Sequence, residues 1–278
     1  MTITIRAGPR NARTDPETGL RYYRWQGREL PSVTTIRRMA GLPHGLHQWA
    51  INQVISWALD NWSIITDRLS SGELALVRHE LRGAATAERD RAAALGTAVH
   101  DAAAEGRDLT EVDPLIAPRL RQYLDWQDTS NIEILASEFQ IWNLTQGYAG
   151  TVDLLGRFPN SEVWLIDLKT GKGLYGEHAL QLMPYMMAEF SGEDDVIDER
   201  VTALLHEVAG IALLHFTEDH WEFHGIRADR PTWDAFRGLL MFATWMADHS
   251  RIEDISLFSR RGGNGVDPVT VFERFREP

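Results

Sequence analysis

The sequence contains no cysteine, which excludes disulfides, cysteine-ligated zinc and cysteine-bound iron–sulfur clusters. It also lacks an apolar run long enough to cross a membrane, and its first residues lack the apolar segment of a secretory signal. Lysine is nearly absent, because apart from Lys169 and Lys172 the positively charged residues are arginines. We therefore expect a soluble cytoplasmic protein, free of any membrane partner, in which two lysines stand out against an arginine background.

Positive charge is scarce overall. The chain of 278 residues carries a formal net charge of −12, which argues against a broad nucleic-acid-binding surface. Residues 1–38 are the exception, with eight arginines against three acidic residues, a local excess of five positive charges. This segment predicts a basic arm that binds phosphate groups. A solvated arginine-rich terminus without a ligand explains the same pattern, and both interpretations remain open.

The apolar patterning predicts a single α/β domain over 1–278, with a hairpin and helical layer in 1–90, a core in 91–250 and a loosely ordered tail in 251–278. In order, we expect a hairpin over 20–31, a helix capped by Ser32, helices over 46–69, 72–105 and 115–129, strands over 132–142, 148–158 and 163–169, a helix over 176–190, an acidic loop over 191–199, a hairpin over 210–226 and a helix over 231–249. The three consecutive strands form an antiparallel meander. The 72–105 segment is either one helix or two joined near Gly83.

The stretch from Val163 to Lys172 organises the prediction. Its apolar residues indicate a buried strand, on which Asp167 and Lys169 project to the same side because they are two positions apart. A carboxylate and an ammonium group at the end of a core strand are costly to desolvate without partners. An ordinary salt-bridged strand end is the alternative interpretation.

We expect two further residues, an aspartate and a histidine, to lie close to this strand. Asp153 precedes Asp167 by 14 residues, on the adjacent antiparallel strand, and we expect the two at one edge of the sheet if the second strand bends or the hairpin is asymmetric. His100 shares a helix face with Gly96, and a glycine inside a helix often marks close approach to another element. Paired carboxylates repel unless a proton or cation bridges them.

The chemistry of this set points to phosphodiester hydrolysis. Oxygen ligands select Mg²⁺ or Mn²⁺, and an added histidine favours Mn²⁺ while leaving Mg²⁺ open. A lysine beside the ion suits stabilising a pentavalent phosphorane or holding the attacking water.

Four motifs in order give the chain a family resemblance. The sequence resembles the PD-(D/E)XK nuclease superfamily, and in particular its RecB-like branch of phage exonucleases and CRISPR-associated DNA nucleases. The matching strings are Gly96-Thr97-Ala98-Val99-His100, Gly150-Thr151-Val152-Asp153, Asp167-Leu168-Lys169 and Gln181-Leu182-Met183-Pro184-Tyr185. Residues 30–35 also resemble an opening common in these proteins. The absence of cysteine departs from the iron–sulfur members of the branch, so no cluster is expected here.

The resemblance implies both a fold and a set of roles. The fold is a restriction-endonuclease-like core, with a central mixed sheet flanked by helices. The implied Mg²⁺ or Mn²⁺ ligands are His100, Asp153, Asp167 and the Leu168 carbonyl, with Glu138 as a further candidate that either touches the ion through water or anchors a neighbour. The implied catalytic residues are Asp153, Asp167 and Lys169, and the residues implied to lie near DNA are Gln181 and Tyr185.

The implied activity is that of a metal-dependent deoxyribonuclease, with an exonuclease favoured over an endonuclease. It would act on single- or double-stranded DNA in recombination, repair or degradation, alongside a recombination or helicase partner, in the cytoplasm of the cell or, for a phage protein, of its host. Two alternatives stay open: a catalytically silent nucleic-acid-binding protein of the same fold, and an unrelated phosphohydrolase that acts on small molecules.

Overall fold

The computed structural model describes residues 12–16, 18–41, 45–106, 108–110, 112–171 and 173–249, with the backbone alone for 45–49 and 85–95. The chain divides into two compact units, residues 1–243 and 244–278. The predicted α/β class is confirmed, because a central mixed sheet is flanked by helices. Within the described ranges, no helix combines the length and the apolar character that a membrane crossing requires. The predicted tail over 251–278 lies outside the described residues.

A three-stranded antiparallel sheet opens the described chain. It consists of β1 (Ala12–Thr14), β2 (Arg21–Trp25) and β3 (Arg28–Pro31). The predicted hairpin is confirmed, and its turn residues Gln26 and Gly27 both have positive φ, as a tight two-residue turn requires. The additional strand β1 was not predicted because three residues are too few for alternation to register.

Five helices follow this sheet in the described part of the chain. They are α1 (Val33–Met39), α2 (Gly45–Asp60), α3 (Trp62–Ser70), α4 (Leu74–Glu105) and α5 (Ala117–Ser130). Ser32 caps α1 as predicted, since its hydroxyl accepts from the Thr35 amide at 2.9 Å. The single helix predicted over 46–69 is wrong, because the chain breaks at Asn61, whose side chain donates to the Trp57 carbonyl. The 72–105 segment is one helix.

The remaining elements build the large sheet and its second covering layer. They are β4 (Glu133–Asn143), β5 (Tyr148–Arg157), β6 (Val163–Lys169), a 3₁₀ turn (Gly176–His178), α6 (Ala179–Met186), β7 (Phe190–Glu193), β8 (Val196–Ile197), α7 (Glu199–Leu205), β9 (Val208–Phe216), β10 (Trp221–Ile226) and α8 (Arg230–Asp248). The seven strands lie in the order β10-β9-β6-β5-β4-β7-β8, with β6 and β9 parallel and the other pairs antiparallel.

Most of this half was predicted, including the β4–β5–β6 meander and the β9–β10 hairpin. The loop predicted over 191–199 is wrong, because these residues form the β7–β8 hairpin and the start of α7. Asp194 and Asp195 occupy the hairpin turn with positive φ, a conformation that aspartate tolerates without glycine. The helix predicted to reach residue 190 ends at Met186.

The core lies on both faces of the large sheet. On one face, β-strand residues such as Leu165 pack with buried residues of α1, α6, α7 and α8; we call this the α6 face. On the other face, Ile166 and Leu168 pack with buried residues of α4 and α5; we call this the α4 face. Alternate residues of β6 therefore reach opposite layers. The polar site lies between these layers, at the end of β6.

No side chain larger than that of glycine fits at Gly150 of β5 without a shift of a close neighbour. A Cβ added there would lie 2.7 Å from Cε1 of the buried Tyr185 ring. We expect Gly150→Ala to lower the free energy of unfolding by about 1–3 kcal/mol, as overpacking does in cores. Gly83→Ala in α4 is the matched control, because a Cβ there meets nothing within 4 Å and alanine is the better helix former. Denaturant unfolding that ranks the two variants the other way would contradict this packing.

Candidate metal centre

Asp153 and Asp167 lie just beyond the paired part of the β5–β6 hairpin. The register pairs Leu154 with Ile166 and Arg157 with Val163, and each aspartate is the next residue after the Leu154–Ile166 pair. Of the two alternatives that the sequence offered, an asymmetric hairpin or a bent second strand, the structure has the second, because Val152 packs on the α6 face whereas Leu154 packs on the α4 face.

Glu138 of β4 lies at an irregular position of its strand, next to the one in β5. It lies opposite Asp153, between the register pairs Ser137–Leu154 and Phe139–Val152. Its φ is 48°, a left-handed conformation that costs a non-glycine residue about 1–3 kcal/mol. Because both strands change face at these positions, both carboxylates turn towards α4.

His100 of α4 completes a group of three. One ligand atom each from His100, Glu138 and Asp153 lie within 4.8 Å of one another. His100 Nδ1 is 3.5 Å from Glu138 Oε1 and 3.6 Å from Asp153 Oδ1, and all three side chains are largely shielded from solvent. The predicted role of Gly96 is confirmed as a close approach, since a Cβ there would lie 3.2 Å from Thr170 Oγ1.

The Leu168 peptide group holds two members of this group in place. Its carbonyl lies 3.2 Å from His100 Nε2, and its amide donates to Asp153 Oδ2 at 2.7 Å. When His100 Nε2 donates to this carbonyl, the lone pair of Nδ1 faces the two carboxylates. This is how a metal-binding histidine is normally oriented. Direct ligation by the Leu168 carbonyl stays a prediction.

The electrostatics of the group leave room for a cation. Burial opposes the charged form of His100, but the carboxylates of Asp153 and Glu138 outweigh it and raise its pKa to about 9. Burial raises the pKa of Asp153 to about 7, and the nearby Asp167 and Glu138 carboxylates contribute in the same direction. Without a metal, bound protons must compensate the negative charge of the two carboxylates in this cluster.

Asp167 lies outside the group of three. It is 1% exposed, its Oδ2 pairs with Lys169 Nζ, and its Oδ1 accepts from Gln181 Nε2 at 2.7 Å. Its side chain contacts Gln181 of α6, whereas Asp153 contacts His100 of α4. Its predicted ligand role stays a prediction. The predicted pairing of Asp167 with Lys169 on one side of β6 is what the structure has.

Gln181 connects the lysine to a buried arginine. Its Oε1 accepts from Arg37 Nη1 at 2.8 Å and lies 3.4 Å from Lys169 Nζ. Its Nε2 is 3.4 Å from the Tyr185 hydroxyl. Sequence reasoning missed Arg37, which is 7% exposed and lies at the end of α1. The signal that could have found it is its place among buried residues of an amphipathic helix.

Removing the Gln181 amide should destabilise this network. We expect Gln181→Leu to lower the free energy of unfolding by about 1–3 kcal/mol, because Arg37 and Asp167 would each lose a partner while buried. Gln127→Leu on α5 is the matched control and should change stability by less than about 0.5 kcal/mol. Equal effects of the two substitutions in denaturant unfolding would contradict this account.

A polar pocket of about 350 Å³ lies at the group of three. It is lined by His100, Glu138 and Asp153, by Gln181 and Tyr185, and by residues of β2 and α1. Two arginines of the predicted basic arm, Arg21 and Arg38, line it. Sequence reasoning placed them in the arm without assigning them to the site. The arginines at positions 6 and 10 lie outside the described residues.

The donor set fits a hard or borderline divalent cation. One imidazole nitrogen and two carboxylate oxygens are available within the span of a single coordination sphere. The net charge of two carboxylates and one neutral imidazole suits a divalent ion. The residues therefore fit the Mg²⁺ or Mn²⁺ that the sequence predicts, and they do not by themselves choose between these ions.

Comparisons with known proteins add little to this geometry. No protein-family model and no curated protein matches the chain. One solved structure that it resembles is described as "Crystal structure of SSO0001", with a TM-score of 0.29 and 17% sequence identity. The match covers 48% of this chain and 60% of that chain. Fold and site together define a mixed α/β protein with a candidate metal centre on its central meander.

Proposed function

We propose that the protein is a Mg²⁺- or Mn²⁺-dependent DNA nuclease of the PD-(D/E)XK type, with a restriction-endonuclease-like core, acting in the cytoplasm. The observation that carries the proposal is the group of His100, Glu138 and Asp153 at the floor of a polar pocket, one β-strand away from the Asp167–Lys169 pair. The motif order supplies DNA as the substrate and favours an exonuclease over an endonuclease.

His100, Glu138 and Asp153 would hold the ion, with Nδ1 and the two carboxylates as donors. A divalent ion bound there supplies Lewis-acid stabilisation of phosphoryl oxygens and acidifies a bound water. The protein's own contribution is to fix these donors before substrate arrives. The Leu168 peptide does this by hydrogen bonding to both His100 and Asp153.

Lys169 would act on the reacting phosphate from the α6 face. Its pairing with Asp167 keeps the ammonium group oriented, and Gln181 limits the directions it can take. A point charge with rotatable donors can hold an attacking water or stabilise charge that develops on the phosphate. Asp167 would then position the lysine as well as contribute negative charge to the site.

Arg21 and Arg38 support a polymeric substrate over a small phosphoester. They belong to β2 and α1 and line the same pocket as His100, Glu138 and Asp153. Arginine at this position suits contacts to phosphates that flank the one being cut. A small monophosphate ester would have no second phosphate for these side chains to contact.

The test is hydrolysis of end-labelled single- and double-stranded DNA by the purified protein. We expect degradation with Mg²⁺ or Mn²⁺ and none with chelator, and the order of label release would give the polarity. Cleavage of a nucleotide phosphoester but no DNA would favour a small-molecule phosphohydrolase. DNA binding without hydrolysis in either metal would contradict the nuclease and favour a silent binding protein.

A further inference from the structure

A second cluster of metal-binding side chains lies on the β9–β10 hairpin. His215 of β9 and Glu222 of β10 are register partners, and His220, Glu222 and His224 alternate along the chain on the other side of the turn. All three histidines face the one carboxylate. The distances to Glu222 oxygens are 3.3 Å from His215 Nδ1, 3.3 Å from His220 Nε2 and 3.2 Å from His224 Nε2.

The buried member, His215, presents a lone pair to Glu222. Its side chain is 7% exposed, and its Nε2 lies 2.7 Å from the Gly171 carbonyl. A carbonyl only accepts, so Nε2 carries the proton and, in the neutral ring, Nδ1 has none. A lone pair 3.3 Å from a carboxylate oxygen is repulsive unless a positive charge lies between them.

His220 lies beside Glu222 in a turn built around Thr217. The Thr217 hydroxyl donates to the His220 carbonyl at 2.6 Å and accepts from the backbone amides of Asp219 and His220. His220 Nδ1 lies 3.1 Å from the same hydroxyl oxygen, and its Nε2 lies 3.3 Å from Glu222 Oε1. The buried His215 ring, with its proton on Nε2, thus directs an acceptor at an anion, which is the arrangement of ligands around a shared cation.

Each imidazole nitrogen lies 3.2–3.3 Å from a Glu222 oxygen, about the 3.3 Å that separates neighbouring ligand atoms of a tetrahedron with metal–nitrogen bonds of about 2.0 Å. The three nitrogens lie farther from one another, because in the described part of the chain only the His100 group has three ligand atoms within 4.8 Å of one another. A tetrahedral site therefore requires the His220 and His224 rings to rotate, which their 63% and 46% exposure permits, and requires His220 to leave its contact with Thr217.

We propose that His215, His220, Glu222 and His224 form a second metal site that takes a Zn²⁺-class ion and braces the segment following Lys169. Three imidazole nitrogens and one carboxylate are the ligands that Zn²⁺ and Co²⁺ prefer over Mg²⁺. The brace acts through the His215 contact to the Gly171 carbonyl, and His215 is also the register partner of Lys169 on β6. This inference stands apart from the proposed nuclease function.

Binding of Co²⁺ to the full-length protein tests the site, because tetrahedral Co²⁺ absorbs visible light strongly. We compare wild type, the double variant His220→Asn with His224→Asn, and a control with two exposed histidines changed, His79→Asn with His206→Asn. We expect wild type and the control to give the same strong band. The double variant should lose the band and bind one fewer ion per chain by equilibrium dialysis.

Two outcomes would overturn the proposal. One is the absence of a strong band in wild type, and the other is an unchanged band and stoichiometry in the double variant, either of which means that protons alone hold the cluster together. Circular dichroism checks the fold of each variant. Glu222→Gln replaces the double variant if that variant does not fold, and it should also weaken Co²⁺ binding and lower the rise in melting temperature that Zn²⁺ gives.

Discussion

Replacing Lys169 by alanine should lower the rate of DNA cleavage by about 10²- to 10³-fold, the loss seen when one preorganised charge is removed from a transition state. Its ammonium group is paired with Asp167 and lies near Gln181, so it is oriented before substrate binds. Lys169→Arg should also be impaired, because a planar fork cannot take the place of a compact ammonium group. Single-turnover cleavage of end-labelled DNA measures the rate.

Lys172→Ala is the matched control, since it removes the chain's other lysine three positions away. It should cleave at a rate near that of wild type. Because Lys169→Ala leaves the Asp167 carboxylate buried without its cation, each variant also needs a melting curve and a metal-binding measurement. A folded, metal-binding Lys169→Ala protein that cleaves at the wild-type rate would rule the lysine out of the chemistry.

Asp153→Asn should abolish both metal binding and cleavage. The change removes one of the two carboxylates beside His100 Nδ1 and keeps the side-chain volume. The asparagine oxygen can still accept from the Leu168 amide, so the fold should survive. Stabilisation by a ligand that binds only the folded state grows with its concentration above Kd, and reaches about 2.7 kcal/mol at 100 times Kd. Mn²⁺ should therefore raise the melting temperature of wild type but not of this variant.

Asp67→Asn on the exposed side of α3 is the control, and it should keep the Mn²⁺ effect. Glu138→Gln should weaken Mn²⁺ binding as well, because Glu138 Oε1 lies as close to His100 as Asp153 does. Asp167→Asn shows which group binds the ion, the group of three or the Asp167–Lys169 pair. If Mn²⁺ binding survives Asp153→Asn and is lost in Asp167→Asn, the ion lies with Asp167 and Lys169 instead of the group of three.

The elements of the fold were largely predictable because the apolar pattern is strong where strands are buried. The meander of β4, β5 and β6 carries alternating or continuous apolar residues, and the turns between them contain asparagine, glycine or proline. The break at Asn61 and the β7–β8 hairpin were missed for a physical reason. Apolar spacing continues past Asn61, and the Asp194–Asp195 turn has no glycine to mark it.

It was harder to predict which residues form the candidate site than to predict where in the fold the site lies. Sequence spacing placed Asp153 and Asp167 on adjacent strands, and their register agrees with that. It could not tell that β5 changes face at Asp153, so that Asp153 contacts His100 of α4 whereas Asp167 contacts Gln181 of α6. Glu138 was undervalued for the same reason, because a positive φ inside a strand leaves no signal in residue type.

The most direct test of the metal centre is an anomalous difference map from crystals of the protein loaded with Mn²⁺. We expect a peak bonded to His100 Nδ1 and to the carboxylates of Glu138 and Asp153, with the Leu168 amide still hydrogen-bonded to Asp153. A peak held by Asp167 without His100, or no peak anywhere on the central meander, would contradict it.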